Sequence, residues 1–238
     1  LLIVLGSRLN TQLTGGNTSS FAPNAKKIVV DVDNAELNKD NGVVIDLKIN
    51  TDLKYFFEKI KNISIKQIDY SNWISNFKKW KTKYPICLDK YFQETSKVNP
   101  YIFMRELSNK TGKNDILIPD ASANLIWALQ SFLIDGQEIF TAFNHSPMGY
   151  SMPATIGAYF ANPKKRVICT IGDGSMQMNV QELETISHHK LPVKIFVINN
   201  DGYGLIKQTQ DTWLNSHRVG VDKSSGLSLP KMKDIGKA

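Results

Sequence analysis

Two stretches decide the fold, Arg166-Val-Ile-Cys-Thr-Ile-Gly-Asp-Gly-Ser175 and Pro192-Val-Lys-Ile-Phe-Val-Ile-Asn-Asn200. Each is an apolar run that ends in a short polar tip, and residues 180–189 between them have helical spacing. The order strand, helix, strand predicts a parallel crossover. Because neighbouring parallel strands end at the same edge of a sheet, we expect the two polar tips to meet there.

The chemistry of the two tips indicates a site for a diphosphate. The carboxylate of Asp173 and the amide oxygen of Asn200 can converge on one point, and hard oxygen ligands suit Mg²⁺, which usually binds one or two protein groups and substrate phosphates. Gly172 and Gly174 let backbone N–H groups approach a phosphate closely. The N-terminus of the following helix favours negative charge. The alternative is that both tips are ordinary turns.

The pattern is very similar to the thiamine diphosphate motif of the acetolactate synthase and 2-oxo acid decarboxylase family, which is GDG followed somewhat under thirty residues later by NN. The likeness extends to Met148-Gly-Tyr-Ser-Met-Pro-Ala-Thr-Ile-Gly-Ala158, Leu191-Pro-Val193 and Ile198-Asn-Asn-Asp-Gly-Tyr-Gly204. It implies an α/β fold of open parallel sheets flanked by helices. The expected architecture is a thiamine diphosphate-binding fold with a partial central Rossmann-like domain.

The resemblance also assigns ligands to the cofactor and its metal ion. It implies three magnesium ligands: Asp173, Asn200 and the backbone carbonyl of Gly202. It implies a larger set around the diphosphate: Ser122, Asn124, Gly172, Gly174, Ser175, Met176, Gly204 and Leu205. For Ser122 and Asn124, plain turn and helix-capping roles remain the alternative.

Two further residues are expected at the reacting end of the cofactor. By the resemblance, Met148 is the bulky apolar residue between the two rings of the cofactor, which forces its bent conformation. An unbranched methionine fills irregular gaps, so a core-filling role remains the alternative. Ser146 matches the position whose backbone carbonyl accepts a hydrogen bond from the 4′-amino group.

The implied reaction is decarboxylation of a 2-oxo acid with carboligation, as in acetolactate synthases. A simple 2-oxo acid decarboxylase and a cofactor-binding, non-catalytic subunit remain alternatives. Thr209 stands where those synthases carry a tryptophan in Gln-Trp-Gln, which puts their acceptor in doubt. In this family the activating glutamate lies in a pyrimidine-binding domain of a neighbouring subunit. We therefore expect a homodimer or homotetramer, and no activity from this chain alone.

The chain divides into three predicted parts. Residues 1–65 carry strand signals at 1–5, 27–33 and 42–49 and resemble the end of the family's central domain. Residues 66–98 are predicted to be a connecting helix or linker, and residues 99–238 a C-terminally truncated diphosphate-binding domain. We interpret both chain ends as cuts in a longer polypeptide. Some relatives bind FAD in the central domain, but residues 9–13 depart from their pattern, so we do not expect FAD.

The composition excludes several other classes of function. A hydrophobic fraction of 42% suffices for a core, and the net charge of +7 comes from scattered lysines without the long basic block of a nucleic-acid arm. Two distant cysteines suit a reducing cytoplasm. No apolar stretch reaches membrane-spanning length. A G-x-G-x-x-G dinucleotide signature is absent. We expect a cytoplasmic protein without nucleic-acid or membrane partners.

Overall fold

The structure of the chain, a computed structural model, describes residues 1–64, 68–143 and 145–237. The chain forms two compact units, Leu1–Ser75 and Asn76–Ala238, and the division falls inside a helix, α4. The predicted boundary between residues 65 and 66 lies outside the described residues. The predicted boundary between residues 98 and 99 stays a prediction.

The first unit is built on a three-stranded parallel sheet. Its strands are adjacent in chain order: β1 (Leu2–Leu5), β2 (Lys27–Asp31) and β3 (Leu47–Asn50). Three helices and one 3₁₀ turn connect and cover them: α1 (Thr11–Thr14), the turn Thr18–Ser20, α2 (Asn34–Asn38) and α3 (Leu53–Ile60). The alternating strand and helix signals of this region are thus confirmed as an open parallel sheet.

The third strand is shorter than its sequence predicts. The apolar pattern predicts a strand from residue 42, but the ladder with β2 begins only at Leu47. The Asp46 carboxylate accepts a hydrogen bond from the Lys27 N–H at 2.7 Å, and so takes the place of a backbone partner there. Val43 and Ile45 still pack on the core cluster of this unit. The apolar residues before Leu47 are therefore explained by their packing on the core and not by strand pairing.

The second unit contains a four-stranded parallel sheet in the order β5-β4-β6-β7. The strands are β4 (Asp115–Pro119), β5 (Glu138–Ile139), β6 (Arg166–Gly172) and β7 (Lys194–Ile198). Two neighbours, β6 and β7, run in register up to the pair Gly172 and Ile198. The predicted parallel crossover is therefore confirmed. The outer strand β5 is only two residues long.

Helices cover both faces of this sheet, with α6 (Pro100–Asn109) and α7 (Ala123–Ser131) on one face and α8 (Ser151–Ala161) on the other. The other helices described from residue 71 onward are α4 (Ser71–Lys83), α5 (Asp89–Phe92), α9 (Asp173–Met176), α10 (Glu182–His188), α11 (Gly204–Trp213) and α12 (Met232–Ile235), with 3₁₀ turns at Gln177–Asn179 and Lys223–Ser225. Within the described ranges, none of the helices has both the length and the apolar character that crossing a membrane requires.

Successive strand residues point to opposite faces, and the core follows this alternation. Leu117 and Ile168 pack with residues of α6 and α7 on one face. Ile116, Ile118 and Val167 pack with α8 on the other. A parallel sheet covered on both faces leaves its carboxyl edge for loops, and ligands bind at that edge in open α/β sheets.

Candidate functional site

Asp173 stands at the carboxyl edge where β6 ends, and only 1% of its surface is exposed. Its Oδ1 accepts a hydrogen bond from the Gly174 N–H at 2.8 Å. Its Oδ2 accepts one from the backbone N–H of Asn200 at 3.1 Å. The second contact joins the tips of two neighbouring strands, so the structure brings Asp173 and Asn200 together as the crossover predicts.

The side chain of Asn200 completes a cluster of three polar groups. With its amide nitrogen turned inward, it donates to Asp173 Oδ1 at 3.0 Å and to the Gly202 carbonyl oxygen at 2.9 Å. Rotating the amide by half a turn exchanges its nitrogen and oxygen, because the two atoms occupy equivalent places. In that orientation three oxygen atoms face one another with no donor among them.

A set of one carboxylate, one amide oxygen and one backbone carbonyl matches the hard oxygen ligands that Mg²⁺ binds. Among the described residues, no group of three or more His, Cys, Asp or Glu side chains is placed to hold a metal ion. The chemistry of the donor set at Asp173, Asn200 and Gly202 therefore fits a magnesium ion that also binds ligand phosphates.

The loop that carries two of these groups, residues 199–203, is braced by a second loop. Gly202 forms an antiparallel bridge with Asp222, and the Tyr203 N–H donates to the Val221 carbonyl at 2.9 Å. Lys207 of α11 pairs with the Asp222 carboxylate at 2.7 Å. The hydrogen bond from Lys207 and those from nearby serines hold the pKa of Asp222 well below its usual range. The brace fixes the direction of the Gly202 carbonyl.

These groups line a concave pocket that lies wholly in the second unit. The pocket is bordered by the three residues expected to bind metal, by Met148, and by seven of the eight residues expected around the diphosphate. The first turn of α11, from Gly204 to Ile206, forms one side. The sequence prediction and the pocket thus describe the same part of the molecule.

Two expected residues lie outside the pocket lining. Met176 is 4% exposed and packs into a core cluster with Met152 and Cys169. Ser146 has a φ of 46° and donates its backbone N–H to the Ala142 carbonyl at 2.7 Å. Met176 and Ser146 are expected to contact the cofactor through backbone groups, which does not require their side chains to line the pocket. Both roles therefore stay predictions. The Cys169 thiol is buried, and burial raises its pKa to about 11.

Ser122 and Asn124 both line the pocket, but in different ways. With its amide nitrogen turned to Thr170 Oγ1, Asn124 accepts hydrogen bonds from the N–H groups of Ile171 and Gly172 at 3.2 Å each. Asn124 thereby holds the end of β6 beyond the point where β4 stops, and its expected contact with the cofactor stays a prediction. Ser122 has φ 66° and ψ −144°, a conformation that essentially only glycine adopts without strain.

The sequence analysis predicts no functional role for three further residues at this site. Trp127 of α7 lines the pocket. The Tyr203 ring lies so close to Gly174 that a Cβ there would stand 2.3 Å from the ring. Asp120 follows β4 at the same carboxyl edge and is 0% exposed. Its place after a buried strand, like that of Asp173, is the signal that would have identified it.

The chain is similar to proteins of known family. Residues 120–236 match the family model of the thiamine pyrophosphate enzyme C-terminal, TPP-binding domain. The acetolactate synthase large subunit of Cyanidium caldarium is 32% identical over 95% of the chain, and that of Lactococcus lactis is 29% identical over 91%. The large subunit of acetolactate synthase isozyme 1 of Escherichia coli is 32% identical over 88%.

The chain covers 38%, 37% and 36% of the lengths of these three relatives, respectively. The matched family domain contains the whole lining of the pocket at the ends of β4, β6 and β7. On these matches the chain belongs to the thiamine diphosphate-dependent enzyme family, with a thiamine diphosphate-binding domain over residues 120–236.

Proposed function

We propose that the second unit binds thiamine diphosphate through a magnesium ion held by Asp173, Asn200 and the Gly202 carbonyl. The whole protein then decarboxylates a 2-oxo acid and joins the product to a second carbonyl compound, as an acetolactate synthase-like enzyme. The observation that carries this proposal is the cluster of three potential oxygen ligands at one sheet edge. When bound, thiamine diphosphate supplies a nucleophilic carbon that adds to the 2-oxo acid carbonyl and allows CO₂ to leave.

The backbone around the metal cluster is suited to a diphosphate. A Cβ built on Gly172 would meet no protein atom within 4 Å, so this part of the pocket is open to a ligand. The first turn of α11 presents N–H groups that have no partner inside the helix, and it begins at the pocket with Gly204 and Leu205. A helix N-terminus favours an anion. We assign the diphosphate to the space between these two elements, with Ser175 and the Met176 N–H beside it.

The pocket also has apolar lining. Met148 and Trp127 contribute to it, together with Leu205 and Ile206 of α11. An apolar wall excludes water and strengthens polar interactions inside the site. We assign Met148 to the space between the two rings of the cofactor, and the Ser146 carbonyl to its amino group, as the family resemblance implies.

A neighbouring subunit is expected to supply the pyrimidine-binding domain and its activating glutamate, in a homodimer or homotetramer. Ile126 and Leu129 of α7 are 41% and 59% exposed and lie three residues apart. Residues at that spacing share one face of a helix. An exposed apolar face that borders a pocket is typical of an interaction surface.

One observation favours simple decarboxylation as a second candidate. Thr209 replaces the tryptophan of the synthases, and its hydroxyl donates to the Leu205 carbonyl of its own helix at 3.0 Å. The residue therefore offers no aromatic wall to an acceptor. In the second candidate the same site releases CO₂ without joining a second carbonyl compound.

The proposal is tested on the whole protein with a panel of 2-oxo acids, thiamine diphosphate and millimolar Mg²⁺, by measuring CO₂ and ligation products. We expect CO₂ release with at least one acid, and ligation products separate the two candidates. Asp173→Ala should abolish this release and saturable cofactor binding in calorimetry, because it removes the charged ligand. Asp201→Asn is the matched control, since Asp201 is an exposed carboxylate in the same loop. Wild-type cofactor affinity in Asp173→Ala would refute the metal assignment.

A further inference from the structure

Asp120 is a fully buried carboxylate that the proposed chemistry does not use. Its Oδ2 accepts a hydrogen bond from the Gly149 N–H at 3.1 Å, and its Oδ1 accepts one from the Ser151 N–H at 3.0 Å. Its own N–H donates to the Thr170 carbonyl at 2.8 Å, which ties it to β6. Both carboxylate oxygens therefore hold the backbone on either side of Tyr150, next to Met148.

The same backbone is held from the opposite side by the segment that follows Asp173. Asn179 Nδ2 donates to the Gly149 carbonyl at 3.0 Å. Gly149 has a φ of +86°, and a Cβ there would lie 2.8 Å from Met178 Cβ and 3.0 Å from the Ser175 carbonyl oxygen. The loop thus passes through a gap that only glycine fits, and its N–H and carbonyl are both bound by side chains.

Burying a carboxylate is costly unless it is well hydrogen-bonded. Bonds from N–H groups to a charged acceptor are the stronger kind, and Asp120 makes two of them. An amide in its place would offer one oxygen acceptor and turn an NH₂ donor toward the other N–H group. The carboxylate is therefore specific for two parallel N–H donors, and a side chain of similar size does not replace it.

We propose that Asp120 is a positioning residue, which clamps the Gly149 and Ser151 N–H groups and thereby fixes Met148 at the wall of the pocket. The inference rests on the proposed function, because it takes Met148 to contact the bound cofactor. It adds a residue at the end of β4 to the two strand ends that carry the metal cluster. Three neighbouring strands then each supply one polar group that sets the geometry of the site.

The clamp itself is tested without cofactor, by amide hydrogen exchange of the whole protein. Asp120→Asn should speed exchange in the peptide covering residues 148–152 by about tenfold or more, since it removes a charge-assisted hydrogen bond. Asp115→Asn is the matched control, because Asp115 is a buried carboxylate at the other end of β4. Equal protection of that peptide in Asp120→Asn and wild type would overturn the clamp. Should Asp120→Asn not fold, Asn179→Ala tests the opposite side of the same loop.

The positioning role is tested by a double-mutant cycle with Met148→Ala. If Asp120 acts through Met148, Asp120→Asn should lower kcat roughly tenfold with little change in cofactor affinity, and should add almost nothing in the Met148→Ala background. Additive losses would show that Asp120 acts elsewhere and would overturn the positioning role. Cofactor affinity is followed in the same variants by calorimetry. A third outcome is faster amide exchange in Asp120→Asn together with unchanged turnover in Met148→Ala. That outcome would refute the proposed role of Met148.

Discussion

Two glycines of the GDG segment have opposite surroundings. A Cβ on Gly174 would stand 2.3 Å from the Tyr203 ring, whereas a Cβ on Gly172 would meet no protein atom within 4 Å. Neither glycine has a positive φ. The space beside each glycine, where a side chain would stand, therefore explains the residue. At Gly174 the tyrosine ring occupies that space, and at Gly172 the space is part of the pocket.

This difference predicts distinct results for two alanine substitutions. Gly174→Ala should destabilise the protein by about 1–3 kcal/mol, because the ring of Tyr203 must move. Gly172→Ala should leave stability nearly unchanged and weaken cofactor binding. Thermal unfolding and calorimetry measure the two effects. Adding Tyr203→Leu to Gly174→Ala should restore part of the lost stability, and an unchanged loss in the double variant would contradict the packing between ring and glycine.

Among individual residues, the sequence predicts those whose role depends on the chemistry of their own side chains. Asp173 and Asn200 follow apolar runs and have the right ligand type, and the structure brings them together. It does not predict the contacts of Asp120 or Tyr203, because their partners, Gly149 and Gly174, lie about thirty residues away in the chain. A contact with the backbone does not require a particular side chain in the partner segment, so the sequence there shows only a glycine.

At the scale of elements, β4 and β6 are joined at the edge opposite the site. Arg166 makes two hydrogen bonds to the Asp115 carboxylate, at 2.6 and 2.8 Å, and the Gly112 N–H donates a third at 2.7 Å. Burial raises the pKa of Asp115, but these hydrogen bonds and the charge of Arg166 lower it by more, so that it lies below its ordinary value. The pair fixes the start of both strands.

This pKa shift predicts an acid-dependent part of the stability. Because the folded pKa of Asp115 is depressed, its contribution is complete above the unfolded value of about 3.9 and is lost as pH falls through the lower folded value. Asp115→Asn should lower the free energy of unfolding by roughly 1 kcal/mol at pH 6. The difference from wild type should shrink below about pH 4. Urea unfolding across this range measures it, and a difference independent of pH would contradict the assignment.

Element boundaries show what the apolar pattern misses. The signal for a strand from residue 42 reflects the partly buried Val43 and Ile45, while pairing starts at Leu47. The helix that follows the polar tip of β6 is predicted from residue 180, but a helix, α9, already begins at Asp173. Glycine and aspartate are weak helix formers, so local propensity does not predict this turn of helix. Packing of Met176 in the core stabilises it.

For the whole molecule, the candidate site needs only the second unit for its metal and diphosphate groups. The pocket lining comes from the ends of β4, β6 and β7, the helices that follow them, and Met148 in the loop before α8. The parallel order of these strands brings Ser122, Asp173 and Asn200 to one edge. The sequence predicts this arrangement because strand, helix and strand repeat along it. The first unit contributes no residue to the pocket within the described ranges.

The proposed cofactor site depends on one metal ion held by Asp173, Asn200 and the Gly202 carbonyl beneath a bound diphosphate. The most direct measurement is a crystal structure of the whole protein with thiamine diphosphate and Mn²⁺ in place of Mg²⁺, with anomalous scattering to locate the metal. We predict one anomalous peak about 2 Å from an oxygen of each of the three residues, with the Asn200 amide oxygen turned inward. A bound cofactor whose metal peak lies elsewhere, with Asn200 still donating to Asp173, would contradict the account.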